Sequence, residues 1–286
     1  LVGVDGSRHA LAATRWAAAE SAARRTPLVI AHAAPGVRRG LDQAATRHGQ
    51  ALLARARVEA EHALGRDLVH TRLIDAEPVA GLTELSEDAA LLVLGLTGSG
   101  SSEELLLGST THALAGKARC PLVGVRRWPL PEPEHRFVLV GVDEVLADAD
   151  AIALAFELAA RADRTLVALH AVHGPLGNDS ADNQRARLWA ALRGWRMRYP
   201  RVAVLVECPR GAPATELLRR AAEAEAVVLG SRGRGALART VLGSTSRTVL
   251  RYGPVPTLVV GPDTLTGHRR VRAGSSEDPR ALTNLG

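Results

Sequence analysis

The chain has 286 residues, 46% of them hydrophobic and 3% aromatic, with a formal net charge of +6 and two cysteines. That length fits two domains of ordinary size, each with a core of its own. Apolar runs such as Ala89 to Leu96 are too short to span a bilayer, and Cys120 and Cys208 make neither a disulfide framework nor a metal-ligand spacing, which excludes those classes.

In chain order, runs rich in Val, Leu and Ile predict strands near 1–5, 28–33, 67–73, 90–95 and 121–126, separated by helical stretches. The chain opens inside the first strand, without a Met, which predicts that residues precede it; nothing indicates export, and a cytoplasmic protein is expected. Between residues 41 and 64 an apolar stripe of Leu41, Ala45, Leu52, Ala56, Ala60 and Ala63 stands beside an arginine-rich face, as an amphipathic helix requires. Three prolines stiffen the stretch from Arg126 to His135 into a spacer. A second series of strands follows near 137–142, 165–171, 201–206, 226–230 and 256–260, with Pro200 suited to a strand start and Pro213 to a helix start. Residues 263–286 are polar and are expected to form a flexible tail, so the domains are placed at 1–127 and 136–262 with a linker at 128–135. The positive charge is uneven: residues 1–134 carry 15 basic and 15 acidic side chains, residues 135–286 carry 21 and 15. Part of that excess is the tail stretch His268 to Arg272. Aromatics are scarce and are not read as interleaved with basic residues, so base stacking has little to work with, and neither a nucleic-acid nor a membrane partner is expected.

The two series are one pattern written twice. Leu1 to Ser7 (LVGVDGS) returns as Val138 to Glu144 (VLVGVDE), and Cys120 to Val125 (CPLVGV) returns as Val255 to Gly261 (VPTLVVG). Strands alternating with helices in both copies argue for βαβ units and parallel sheets covered on both faces: an α/β protein of two tandem domains, each a five-stranded parallel sheet flanked by helices.

Each copy also carries a long-spaced glycine frame at the end of its fourth strand. It reads Gly95, Gly98, Gly108, Ser109 in the first and Gly230, Gly233, Gly243, Ser244 in the second. A strand that passes through such a loop into a helix presents unpaired N–H groups at the positive end of a helix dipole, where phosphate is the natural guest. The glycines are expected to permit positive φ or close approach of oxygen, and the serines to cap the helices. No Lys follows the last glycine, as a P-loop would need, and the frame follows the fourth strand instead of the first, unlike a dinucleotide fingerprint. Asp5 and Asp143 end the first strands, and His32 and His170 end the second, all at the strand ends where open parallel sheets take ligands. The histidines suit pocket walls better than catalysts. His9, His112 and His173 show no metal spacing, and Ser109 and Ser244 do not lie in a hydrolase elbow.

The doubled frame resembles that of the universal stress protein A family, in its ATP-binding branch, over nearly all of residues 1–262. The resemblance implies a Rossmann-like fold akin to the adenine nucleotide alpha hydrolases, with ATP, together with Mg, as cofactor. It implies that adenine lies between strand ends beside His32 or His170, and that Asp5 or Asp143 lies near the ribose and the phosphate-bound metal. Gly6 and Ser7 match the family pattern after Asp5. Phosphates would be held by Gly95, Gly98, Gly108, Ser109 and Thr110 in copy one, and by Gly230, Arg232, Gly233, Gly243, Ser244 and Thr245 in copy two. The copies depart from the pattern differently: Glu103 and Glu104 stand in the first loop, whereas Glu144 and Val145 replace the Gly and Ser in the second copy, whose loop offers Arg232, Arg234 and Arg239. Both sites are therefore expected to bind ATP, with unequal affinity. The resemblance further implies pairing through the last strands, within or between chains, and a homodimer is expected. The resulting function is stress response through nucleotide-dependent conformation or assembly, with at most slow ATP hydrolysis and no catalytic residue assigned. The alternative is a scaffold whose pockets are vestigial. A nucleotide-using transferase or ligase would need a catalytic signature that a chain with Lys117 as its only lysine does not display.

Overall fold

A computed structural model describes residues 1–37, 43–97, 107–130, 136–172, 181–231, 242–261 and 264. The first domain runs β1 (Val2–Gly3), α1 (Arg8–Arg24), β2 (Leu28–Ala33), α2 (Gln43–Leu64), β3 (Val69–Ile74), α3 (Pro78–Leu85), β4 (Leu92–Gly95), α4 (Ser109–Leu114) and β5 (Leu122–Val125). The second runs β6 (Phe137–Gly141), α5 (Ala149–Ala162), β7 (Thr165–Leu169), α6 (Ala181–Ala191), α7 (Arg193–Arg198), β8 (Val204–Glu207), α8 (Pro213–Ala221), β9 (Ala224–Gly230), α9 (Ser244–Tyr252) and β10 (Thr257–Val260).

All ten strands form one sheet in the order β3-β2-β1-β4-β5-β10-β9-β6-β7-β8. Neighbours are parallel within each domain, and the two halves meet where β5 and β10 pair antiparallel, with Leu258 opposite Val123. Alternation along each strand sorts side chains to two faces. Val138 and Val140 of β6 join one core with residues of α1, α2, α5 and α6, and that core runs unbroken across both domains. Phe137 and Leu139 point the other way, to a second-domain core with α8 and α9, while Leu92 and Leu94 of β4 face α3 and α4.

Each last strand is hydrogen-bonded on both sides, β5 by β4 and β10, and β10 by β5 and β9. The pairing left open by the sequence is therefore intramolecular. The homodimer expected through these strands has no free edge to use, because a strand forms only two ladders.

Three local expectations shift. Helix α2 buries Gly49, Leu53, Ala56 and Ala60, whereas Ala63 is exposed and Leu41 lies outside the described residues. With Leu52 and Leu53 adjacent, periodicity alone does not choose the phase of the stripe. β8 begins at Val204, because Val202 N–H donates to Tyr199 O (3.1 Å) in a turn after α7. Aromatics and arginines do interleave, contrary to the sequence reading: between Arg187 and Tyr199 the Arg196 guanidinium lies 3.6 Å from the Trp189 ring centroid. The glycine-loop bodies (98–106, 232–241) and the tail from 265 lie outside the described residues, and with them Gly98, Arg232, Gly233, Arg234, Arg239, Glu103 and Glu104.

Candidate functional site

The ends of β1, β2 and β4 and the start of α4 enclose a cleft of about 520 Å³ in the first domain. It is lined by Asp5, His32, Gly95, Gly108, Ser109 and Thr110 among others, so the sequence-selected residues converge. Just past β1 the chain turns: Asp5 Oδ1 accepts Ser7 N–H (3.0 Å), and Gly6 takes φ +84°, a conformation that favours glycine. Ser7 then caps α1, its Oγ accepting Ala10 N–H (3.1 Å) and donating to Thr97 O (3.3 Å). Asp5 thus holds the turn, and Ser7 is the cap. His32 Nδ1 lies 2.7 Å from Val4 O. A carbonyl only accepts, so this nitrogen carries a proton.

The glycine frame has a local logic that differs from expectation. Gly108 N–H donates to Leu96 O (2.7 Å) and Gly243 N–H to Ser231 O (2.8 Å), so each loop is pinched shut at its base. Thr111 Oγ1 donates to Gly95 O (3.0 Å) and Ser246 Oγ to Gly230 O (2.6 Å), tying helix to strand end. Gly108 and Gly243 are the N-caps, with ordinary φ of −56° and −58°, and no side chain caps either helix. Ser109 and Ser244 are the first helical residues, not the caps. An N-cap glycine leaves the first-turn N–H groups without a side-chain acceptor, the condition an anion needs. Gly95 serves packing instead: a Cβ there would lie 2.7 Å from the backbone of His9 and Ala10, so it lets α1 approach β4.

The second domain repeats the cleft at about 160 Å³, lined by Asp143, His170, Gly230, Gly243, Ser244 and Thr245 with Asp148. His170 Nδ1 lies 2.9 Å from Val142 O, matching His32. The loop after β6 is longer than its counterpart, and Asp148 stands where α5 begins, as Ser7 does for α1. Its Oδ2 accepts Asp143 N–H (2.8 Å) and Glu144 N–H (3.1 Å). Asp148 is buried, and this burial pushes its carboxyl up, helped by the nearby Asp143 and Glu144 carboxylates and opposed by the two N–H donors.

Sequence reasoning missed Thr97, Thr111, Ser246 and Asp148. Thr111 and Ser246 occupy the same place in both frames, two residues after the Ser, and that repetition was a usable signal. Asp148 had none, because the longer loop moves it out of register with Ser7. Among the described residues no group of three or more His, Cys, Asp or Glu gathers as a metal site, and no helix is long and apolar enough to cross a membrane.

Comparison with known proteins agrees with this architecture. The model of the universal stress protein family matches residues 1–126 and 135–261. The universal stress protein Rv2623 of Mycobacterium tuberculosis is 36% identical over 288 aligned residues, covering 91% of this chain and 95% of the relative. A universal stress protein of Mycolicibacterium smegmatis is 34% identical over 283, covering 92% and 96%. Among solved structures, a universal stress protein from Archaeoglobus fulgidus superposes with a TM-score of 0.69 at 20% identity, covering 91% of this chain and 97% of that one, which supports the fold. With two matched copies and relatives of this identity along nearly their whole length, the chain belongs to the universal stress protein family, as a tandem member.

Proposed function

We propose that the chain binds adenine nucleotide, ATP with Mg, in the first-domain cleft in preference to the second, and acts in stress response through nucleotide-dependent conformation or assembly. The observation that carries this reading is the cleft of about 520 Å³ at the carboxyl ends of the strands, walled by a carbonyl-anchored His32 and closed by a helix with a glycine N-cap. Its volume falls within the roughly 300–1,000 Å³ of small-molecule sites. The second cleft, at about 160 Å³, falls below it and adds the Asp148 carboxylate, which opposes an anionic ligand.

In this reading the first-turn N–H groups at Ser109, Thr110 and Thr111 take phosphate oxygens, and Asp5 faces the ribose and the cation. Mg would come with the nucleotide, held by its phosphates beside Asp5. His32 fixes the shape of the base pocket through a ring held by Val4 O.

The test is the nucleotide content of the purified chain, released by denaturation and quantified by ion-exchange chromatography. About one ATP per chain is expected. Ser109→Asp, which keeps a residue favourable at a helix start but sets a carboxylate against the phosphates, removes it, and Ser244→Asp leaves it. Saturating Mg-ATP raises stability by about 2.7 kcal/mol at a hundredfold excess over Kd. No nucleotide and no thermal shift would establish the scaffold reading instead.

A further inference from the structure

Helices α6 and α7 carry a surface that nucleotide binding does not use. Residues 181–201 hold Arg185, Arg187, Arg193, Arg196, Arg198 and Arg201 against one acid, Asp182. The two helices run as one, since Leu192 N–H donates to Leu188 O and Arg196 N–H to Leu192 O (3.0 Å each). Leu188 and Leu192 are buried, and Trp195 and Tyr199 pack on the core, which turns Arg193, Met197 and Arg198 to solvent. Met197 is 72% exposed and Trp189 40%.

The first domain sets two acids, Glu59 and Glu61, beside the α2 arginines Arg55 and Arg57. In α2, Arg57 pairs with Glu61 (2.6 Å), and Glu59 pairs with Arg15 (2.7 Å). Arg185, Arg193, Arg196, Arg198 and Arg201 form no ion pair among the described residues. Folding therefore leaves Arg185, Arg193, Arg196 and Arg198 as positive charge without ion-pair partners, spread along a helix of about 27 Å at 1.5 Å per residue.

We infer that this face docks the protein on an anionic phospholipid surface. A basic helix with apolar side chains among its arginines matches a headgroup layer, which takes the guanidinium groups at phosphates while Met197 and the Trp189 edge enter the acyl boundary. Nucleic acid is a poorer match on the same observations. The Trp189 ring face is already covered by Arg196, so it is not free to stack on a base, and a phosphate backbone has nothing apolar to receive Met197. The absence of a spanning helix, on which the expectation of no membrane partner rested, does not bear on a helix that lies on the surface.

The experiment is flotation of the full chain with vesicles of phosphatidylglycerol and phosphatidylcholine, and with phosphatidylcholine alone, at low and high salt. Binding to the anionic vesicles only, lost at high salt, is expected, together with a blue shift of tryptophan emission that Trp189→Phe removes. The double variant Arg193→Glu/Arg198→Glu, at two exposed positions, lowers partition by about tenfold or more. An unchanged circular dichroism melt shows that it is folded. No flotation, or equal flotation of wild type and double variant, overturns the inference. So does duplex DNA that strips the protein from vesicles, which assigns the face to nucleic acid, or salt-labile self-association without vesicles, which assigns it to a second copy.

Discussion

Ser7 and Asp148 begin corresponding helices, but Asp148 lines the small cleft with a carboxylate whereas Ser7 is outside the lining of the large one. Asp148→Asn keeps an oxygen for the N–H groups of Asp143 and Glu144 and removes the charge, so the second cleft gains ATP affinity, read as a rise in bound nucleotide per chain by calorimetric titration. Because burial holds this carboxyl above its ordinary value, the folded chain binds the proton more tightly than the unfolded one. The residue's contribution to stability therefore falls as pH rises from the ordinary carboxylate value through the raised one, and the Asn variant loses that dependence in urea titrations across pH. The cysteines make a second pH prediction. Burial pushes Cys120 up to about 12 and Cys208 in the same direction, so neither native thiol alkylates appreciably at neutral pH, and Cys120 stays inert well into the alkaline range. Timed labelling followed by mass spectrometry checks this. Asp5, His32 and the frame glycines were legible in the sequence because duplication marked them, whereas Asp148 was not, because its role depends on a loop length that only folding aligns.

At the scale of elements, the seam between the halves is where substitutions should tell most. A Cβ on Gly124 of β5 would meet Leu96 Cδ2 at 2.5 Å and Leu250 Cδ1 at 2.6 Å, so the strand is glycine there because α9 of the other domain packs on it. Gly124→Val is expected to destabilise by about 1–3 kcal/mol through overpacking, with the nucleotide stoichiometry unchanged. On the opposite face Glu20 of α1 accepts from Arg24 (2.6 Å) and from Arg161 of α5 (2.9 Å), and buried Arg24 Nη2 and Arg161 Nε have no partner. Removing the shared carboxylate in Glu20→Gln takes the hydrogen-bonded acid from Arg24 and leaves Arg161 only the longer Glu157 contact (3.7 Å), and destabilises by about 3 kcal/mol, while Arg161→Met costs less, since Arg24 still compensates Glu20 and an apolar side chain replaces an under-satisfied charge. Denaturant midpoints of the two variants separate these outcomes. Strand existence was readable from Val and Leu runs, but β1 is cut to Val2–Gly3 because Asp5 and Gly6 already turn the chain.

At the scale of the whole molecule, two copies of one pattern make a single ten-stranded sheet with a continuous core on one face and two clefts of unequal size at the carboxyl ends of its strands. The amino-acid sequence by itself determined the duplication, the α/β class, and the convergence of Asp, His and glycine frames on one sheet edge. Those follow from local periodicity and from the rule that parallel strands all end on the same side. Three things were decided only by tertiary structure: that β5 and β10 close on each other within one chain, that Asp148 occupies the second cleft, and that Arg185, Arg193, Arg196 and Arg198 form no ion pair among the described residues while Arg57 of α2 pairs with Glu61. Each depends on which groups residues far apart in sequence meet, and a pattern of single residues carries no distance between them.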